Sequence, residues 1–346
     1  MKEEPAPALR IALVMPSLNE EATIGPAMLA VRASLRQPDE ILVVDGGSTD
    51  RTHELLKGHA AAGLPIKLLI HPGKLPGAAR NEGALASTCN VLLFLDFGNV
   101  IDPHWIGEMA RPFEADPRTE AVGGLYAPLM TNDFERCVAA IQYQAATVFA
   151  NLSPEEQRAR VPAKVILGGL GMAVRRDTYL RLGGQPHWLR AGEDWLFGRK
   201  LHASGAPTAV ALGARLYHHM RPTPGDLFRQ NRLYARGEGR LGTSARQHGR
   251  TAGVYLVVAA ALLSALWWWP AAMVAVGVAA FHLYWTGNKR MRGAFGEGAV
   301  RGRRGVLALA VVTKDAGSLV GYAWGLWERL TQPHWREQQR RYLAGG

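Results

Sequence analysis

Residues 40–50 read Glu-Ile-Leu-Val-Val-Asp-Gly-Gly-Ser-Thr-Asp, an apolar run that breaks into two glycines and two hydroxyls flanked by carboxylates. Four consecutive large apolar residues suit a strand buried on both faces, and the glycines permit a tight turn after it. On its own the turn is explained by capping, with Thr49 or Asp50 opening the next helix. Its neighbours change that reading. Residues 9–15, 66–70 and 91–96 are further short apolar runs, and helix-length segments lie between them around Glu21–Leu35, Arg51–Ala61 and Gly77–Ala86. Strand alternating with helix predicts an α/β fold with a parallel sheet. Polar clusters follow three of the runs: Pro16-Ser-Leu-Asn-Glu20, Asp45 to Asp50, and Asp96-Phe-Gly-Asn99. Open α/β sheets bind ligands at the carboxyl ends of their strands, so the active site is expected along that edge.

The chain has 346 residues and a formal charge of +11, from 40 Lys+Arg against 29 Asp+Glu, with 48% hydrophobic residues. That is room for one large or two ordinary domains, and the apolar content excludes a disordered chain. Two cysteines, Cys89 and Cys137, exclude a disulfide scaffold and a zinc site built mainly on thiolates. The apolar run Ile11–Leu18 is too short, and too soon broken by Pro16, for a secretory signal. The chain is therefore expected to begin in the cytoplasm.

From Thr251 to Asn288 no Asp, Glu, Lys or Arg occurs in 38 residues. Eight arginines lie between Arg215 and Arg250, and six basic residues between Gly287 and Arg304. With both flanks positive, the positive-inside rule puts both ends in the cytoplasm, so the stretch crosses twice or not at all. As helix it would run about 57 Å, split by Trp267-Trp268-Trp269-Pro270. A membrane hairpin over about 252–286 is predicted. A second apolar stretch, about 305–327, carries Lys314 and Asp315 at its centre, each costing about 2.5–3.5 kcal/mol at mid-bilayer. It is read as an interfacial or packed helix in which the two charges offset each other. The basic residues cluster beside the apolar stretch without interleaved aromatics, which favours a membrane over nucleic acid as their partner.

The motifs taken together resemble those of family 2 glycosyltransferases. The resemblance covers roughly residues 9–245 and rests on Pro16-Ser-Leu-Asn-Glu20, Val43–Asp50, Gly77-Ala-Ala-Arg-Asn-Glu-Gly83, Phe94-Leu-Asp96, Gly168–Arg176 with Gly183-Gly184, and Gly192-Glu-Asp-Trp-Leu196. It implies a GT-A fold, a Rossmann-like, mostly parallel sheet with flanking helices, as a catalytic domain over 1–245, with the helical membrane region over 246–346. It also implies an inverting, nucleotide-sugar-dependent enzyme of the membrane-associated bacterial type. Pro16, Asn19 and Glu20 would line the nucleoside pocket, Asp45 would read the base, Asp50 would support the loop, and Arg80 would meet the ribose or diphosphate. Cations on phosphates and carboxylates on base and ribose are what such a donor needs. A surface pairing of Arg80 with Glu82 or Glu54 is the plainer alternative.

The metal motif departs from the family pattern: Gly98 stands where a second Asp is usual, leaving Asp96, then Asn99 and Asp102. Mg²⁺ or Mn²⁺ can keep diphosphate oxygens and water in its shell, so Asp96 with help, for instance from His218, would suffice. Glu193-Asp194 opens an apolar helical run, where capping is the ordinary explanation. The family places its catalytic base in this pair, Asp194 taking the acceptor proton and Glu193 orienting the acceptor or capping the helix. Arg229 and Arg232 lie where processive relatives carry Gln-x-x-Arg-Trp, but the tryptophan is absent. They remain candidates for neutralising the leaving diphosphate, and Tyr234–Arg240 is expected to lie against lipid headgroups. The function that follows is transfer of a sugar, from a uridine diphosphate sugar by resemblance, to a lipid-linked or polysaccharide hydroxyl at the cytoplasmic face of the inner membrane. The alternatives are a non-catalytic nucleotide-sugar-binding membrane subunit, suggested by Gly98, and nucleotidyl transfer, which would favour a glycine-rich, lysine-bearing first loop.

Overall fold

A computed structural model describes residues 8–160 and 171–345. Gly168, Gly169 and Leu170 of the glycine-rich motif lie outside the described residues. The strands are β1 (Ile11–Ser17), β2 (Glu40–Asp45), β3 (Ile66–Ile70), β4 (Val91–Phe94), β5 (Asn99–Ile101), β6 (Ala121–Leu129), β7 (Met172–Arg175) and β8 (Thr208–His219). Among them run helices α1 (Glu21–Arg32), α2 (Thr52–Ala61), α3 (Pro76–Ala86), α4 (Trp105–Ala115), α5 (Asp133–Gln142), α6 (Gln144–Ala150), α7 (Pro154–Ala159), α8 (Arg176–Arg181) and α9 (Glu193–Ala203). After β8 the chain is helical: α10 (Pro224–Leu241), α11 (Ala245–Ser264), α12 (Pro270–Leu283), α13 (Lys289–Phe295), α14 (Arg304–Thr331) and α15 (His334–Ala344). The chain to Ala127, Leu152–His218 and the end from Tyr342 form one compact unit; Pro128–Asn151 and His219–Arg341 form the other.

The first unit is built on one sheet in the order β3-β2-β1-β4-β7-β6-β8-β5. Strands β1 to β4 pair in parallel as predicted, whereas β4 with β7, β6 with β7 and β5 with β8 pair antiparallel, so the whole sheet is mixed. β1 has β2 on one side and β4 on the other, which makes its carboxyl end the switch point where loops part and a ligand crevice opens. Ile11 to Met15 and Ile41 to Val44 are buried, anchoring the loops that follow.

In the second unit α10 begins on Thr223, whose hydroxyl accepts from the Asp226 amide, with Pro224 at the first turn, and ends on Gly242 at φ 69°. α14 lies along α10 at backbone distance. A Cβ on Gly317, Gly321 or Gly325 would lie 2.6, 2.1 or 2.1 Å from the carbonyl oxygens of Phe228, Arg232 and Arg236, so only glycine fits there. Tyr234–Arg240, the stretch expected to lie against headgroups, belongs to α10. Arg236 and Arg240 both bond the buried Glu328 of α14, and their guanidinium groups stack over Trp324 and Trp335.

The expected helical hairpin is present as α11 and α12, turning at the tryptophans, with α12 running on through a π-turn at Tyr284–Asn288 into α13. Lys314 does bond Asp315 (2.8 Å), and His282 and Tyr255 of the hairpin bond the same carboxylate at 2.7 and 3.2 Å. Pro270–Phe295 and Arg304–Thr331 are each long and apolar enough to cross a membrane.

Candidate active site

The loops after β1 and β2 interlock through their own polar atoms. Asn19 sits at φ 56°, a left-handed conformation that asparagine tolerates, and its Oδ1 accepts from the Thr49 amide while its own amide donates to Ser48 Oγ. Asp50 accepts from the amides of Glu21 and Thr52. Glu20 donates its amide to Thr52 Oγ1 and accepts from the Thr23 hydroxyl. Pro16 is half-buried on β1 beside Val44.

Asp45, expected to read the base, is bonded within its own loop. It is fully buried, its carboxylate accepts from the amides of Gly47 and Ser48 and from the Ser48 hydroxyl, and His53 Nε2 lies 2.8 Å away. Burial alone would raise its pKa, but these bonds outweigh it and hold the carboxyl at about 2. Oδ1 takes three of these contacts and Oδ2 the Ser48 hydroxyl alone.

α3 starts with Pro76 and Gly77, and a Cβ on Gly77 would meet the Pro186 carbonyl at 2.9 Å and Glu193 Cγ at 3.2 Å. This close approach lets α3 deliver Arg80 to the start of α9. Arg80 is 2% exposed, so the surface pairing with Glu82 or Glu54 is ruled out; Lys74 pairs with Glu82 and Arg51 with Glu54. Arg80 Nη2 donates to Asp96 Oδ1 (2.7 Å), and Nη1 to Glu193 Oε1 (2.9 Å) and Gln185 Oε1 (3.0 Å). Burial opposes its charge, yet Asp96 and Glu193 raise its pKa further above the ordinary arginine range. Burial pushes the Glu193 carboxyl up to about 7, with Arg80 opposing the rise and Asp194 adding to it.

Gln185 was not singled out in the sequence. Its backbone amide donates to Asn81 Oδ1, the Asn81 side chain donates to its carbonyl at 2.7 Å, and Tyr179 Oη donates to Asn81 Oδ1. The Arg80-Asn81 pair thus grips the loop before α9 from two sides, and only the adjacency of Asn81 to the motif arginine hinted at it. The N-cap of α9 is Gly192 at φ 86°, and Asp194 Oδ1 accepts from the Trp195 amide (2.6 Å) in the first turn. Glu193 is buried and bonded to Arg80, while Asp194 is half-exposed.

Asp96 is 41% exposed at its side chain, with one oxygen held by Arg80. Asn99 links the metal motif to His218: its Nδ2 donates to the Asp96 carbonyl (3.1 Å), so its Oδ1, 2.8 Å from His218 Nδ1, must accept. The Nδ1 nitrogen of His218 is thereby the one that Asn99 holds. This is the arrangement that orients a metal-binding histidine. The pairing of β5 with β8 sets Asn99 opposite His218. Among the described residues no three His, Cys, Asp or Glu cluster as a metal site. One carboxylate and one oriented imidazole fit a divalent cation that takes further oxygens from diphosphate and water. Arg229 and Arg232 lie on α10 of the second unit, Arg229 bonding Asp226 on its own helix.

The profile of glycosyl transferase family 2 matches residues 12–180. Glycosyltransferase AglE of Haloferax volcanii is 25% identical over 231 residues, covering 66% of this chain and 72% of its own. The O-antigen chain rhamnosyltransferase RfbN of Salmonella typhimurium is 24% identical, covering 64% and 70%. An uncharacterized glycosyltransferase of Nostoc is 28% identical, but the match spans only 33% of its length. Among solved structures, the mannosyltransferase PcManGT of Pyrobaculum calidifontis, in complex with GDP-Man and Mn²⁺, superposes with a TM-score of 0.59 at 18% identity, over 88% of this chain and 86% of that one. That likeness is one of fold, and the fold is GT-A.

Proposed function

This chain belongs to glycosyltransferase family 2, and from that premise we propose that it moves a sugar from a nucleoside diphosphate donor to an acceptor hydroxyl with inversion. The observation that carries the reading is the Arg80 bridge between Asp96 at the end of β4 and Glu193 at the start of α9. A purely structural cap at α9 would need no buried guanidinium from α3, whereas a site that binds a diphosphate beside a base needs both carboxylates fixed. The same bridge argues against a non-catalytic subunit, since it preserves the carboxylate pair in a defined geometry.

In this reading Asp194, the more accessible of the pair, takes the proton of the acceptor hydroxyl as that oxygen attacks the anomeric carbon from the face opposite the diphosphate. Arg80 holds Glu193 and Asp96 in place, and Glu193 anchors the base-bearing turn. Mg²⁺ or Mn²⁺, held by Asp96 and His218 with Asn99 behind, would supply positive charge to the leaving diphosphate. Pro16, Asn19, Glu20 and Asp50 frame the nucleoside loops. The acceptor is a lipid-linked or saccharide hydroxyl presented at the cytoplasmic face of the inner membrane, a placement supported by the exposed apolar hairpin between basic flanks.

The test is a screen of purified protein against uridine and guanosine diphosphate sugars, with and without Mn²⁺, for donor hydrolysis and thermal stabilisation. A donor present at 100 times its Kd should stabilise the protein by about 2.7 kcal/mol. No response to any donor under either condition removes the proposal.

A further inference from the structure

We infer that the second unit seats in a single leaflet of an anionic lipid bilayer: α14 lies along the boundary between headgroups and acyl chains, and the α11–α12 hairpin dips into the acyl layer without crossing it. The inference rests on the membrane association proposed above and adds its depth.

The first argument is α14. Leu309, Val312, Val320, Trp324, Trp327 and Leu330 are exposed, all apolar, and recur at three, four or eight positions. They form one stripe about 32 Å long. The opposite side is closed by α10, and the registers Gly317 to Phe228, Gly321 to Arg232 and Gly325 to Arg236 rise together, so the two helices run parallel and flush. α10 carries Arg229, Arg232, Arg236 and Arg240. If α14 crossed the bilayer, its partner's arginines would go with it, each costing about 2.5–3.5 kcal/mol at the centre. The part of α14 before Gly317 is about 20 Å long, short of the roughly 30 Å hydrocarbon core. Lying flat removes the conflict: the apolar stripe faces the acyl chains and the arginine helix stays at headgroup level.

The second argument is the hairpin. Tyr255 and His282, one from each leg, both bond Asp315. Nearer the base, His248 stacks on Tyr322 at 4.1 Å, while a Cβ on Gly287 would meet Leu307 and Val311. The two legs therefore part along α14 in opposite directions, and α14 runs across the base of the hairpin. From His282 back to Trp269 is thirteen residues, about 20 Å of helix, too short to carry the tip from the α14 level to the far side of a ~30 Å core. Leu256, Leu263, Trp267, Met273 and Phe281 along this projection are all exposed, Trp267 at 84%. At the base, Lys289 sits 3.6 Å from the Trp285 ring centroid, a cation and aromatic pair suited to the headgroup belt. The charge of the flanks is complementary to anionic lipid.

The test uses the full chain carrying Trp268→Cys, with Met273→Cys as a second tip position should the first fail to fold. Cys89 and Cys137 are buried, so labelling reports the new thiol. Flotation with phosphatidylglycerol/phosphatidylcholine vesicles is read first, then reaction with a membrane-impermeant maleimide added outside cells whose outer membrane is permeabilised. The expected result is flotation with vesicles, no labelling of the tip in intact membranes and labelling once detergent is added. Labelling of the tip from outside would overturn the one-leaflet depth while leaving membrane association standing. Failure to float would overturn both. Bimane placed at Ala316→Cys should be quenched by lipids brominated near the headgroup more than by those brominated near the chain end; the reverse order means that α14 spans.

Discussion

Arg80 bonds Glu193 at 2.9 Å, although 113 positions separate them in the chain. With its other arm on Asp96, this one buried guanidinium ties the strand that ends in the metal motif to the helix that begins with the carboxylate pair. Removing it strands the buried Glu193 carboxylate and releases one oxygen of the more exposed Asp96. Arg80→Ala is expected to lower stability by about 3–5 kcal/mol in urea unfolding, the usual cost of breaking a buried pair from one side. Arg80→Lys should recover part of it, because a lysine offers a point charge and not a planar fork. If both variants unfold at the wild-type midpoint, the bridge is not structural.

Asn99 is expected to act on metal affinity and not on chemistry. Asn99→Ala removes one anchor of the His218 ring, so the Mn²⁺ concentration for half-maximal activity should rise about 10–100-fold, with kcat at saturating metal preserved. A titration of activity against Mn²⁺ separates the two. Asp96→Asn should weaken metal-assisted donor binding more than this.

The parallel half of the fold was legible because each of its strands is a short run of consecutive apolar residues, and buried parallel strands show that pattern openly. The switch to antiparallel pairing beyond β4 was not, since β6, β7 and β8 mix glycine and polar residues and choose partners far away in sequence. For the site, the residue types at Asp96, Glu193 and Asp194 were readable, but their joining by Arg80 and Gln185 depends on how closely Gly77 lets α3 approach. Asp45 was assigned by type to a ligand, and its bonds within its own loop, which Asp-Gly-Gly-Ser also encodes, were not read from the sequence. In the second unit, Gly317-x-x-x-Gly321-x-x-x-Gly325 is a small-residue repeat of the kind that accompanies close helix packing, and it was not singled out in the sequence.

That repeat gives a stability prediction with an internal control. Gly321→Ala places a Cβ 2.1 Å from a backbone oxygen, and should cost about 1–3 kcal/mol or more in thermal unfolding. Gly305→Ala, in the same helix with nothing within 4 Å, should be neutral or gain up to about 1 kcal/mol. Equal effects at both positions would mean that α10 and α14 are not in backbone contact.

The pH dependence follows from Asp45, whose carboxyl drops from an ordinary 3.8 to about 2 on folding. A depressed carboxylate stabilises the folded state above its unfolded pKa, and this contribution disappears as pH falls through the folded one. About 2 kcal/mol should therefore be lost between pH 4 and pH 2, and Asp45→Asn should lack this part of the acid transition. Unfolding midpoints across that window decide it; superimposable curves for the two proteins would mean that the loop bonds do not hold the charge.

The central claim is inverting sugar transfer with Asp194 as the base. Its most direct measurement is the anomeric configuration of the product, by proton NMR, with the transfer rate of Asp194→Asn taken alongside wild type on the same donor. The account predicts a product of configuration opposite to the donor, and a rate for the variant about 10²–10⁴-fold lower with donor affinity unchanged. A retained configuration, or an Asp194→Asn enzyme that transfers at the wild-type rate, would contradict it.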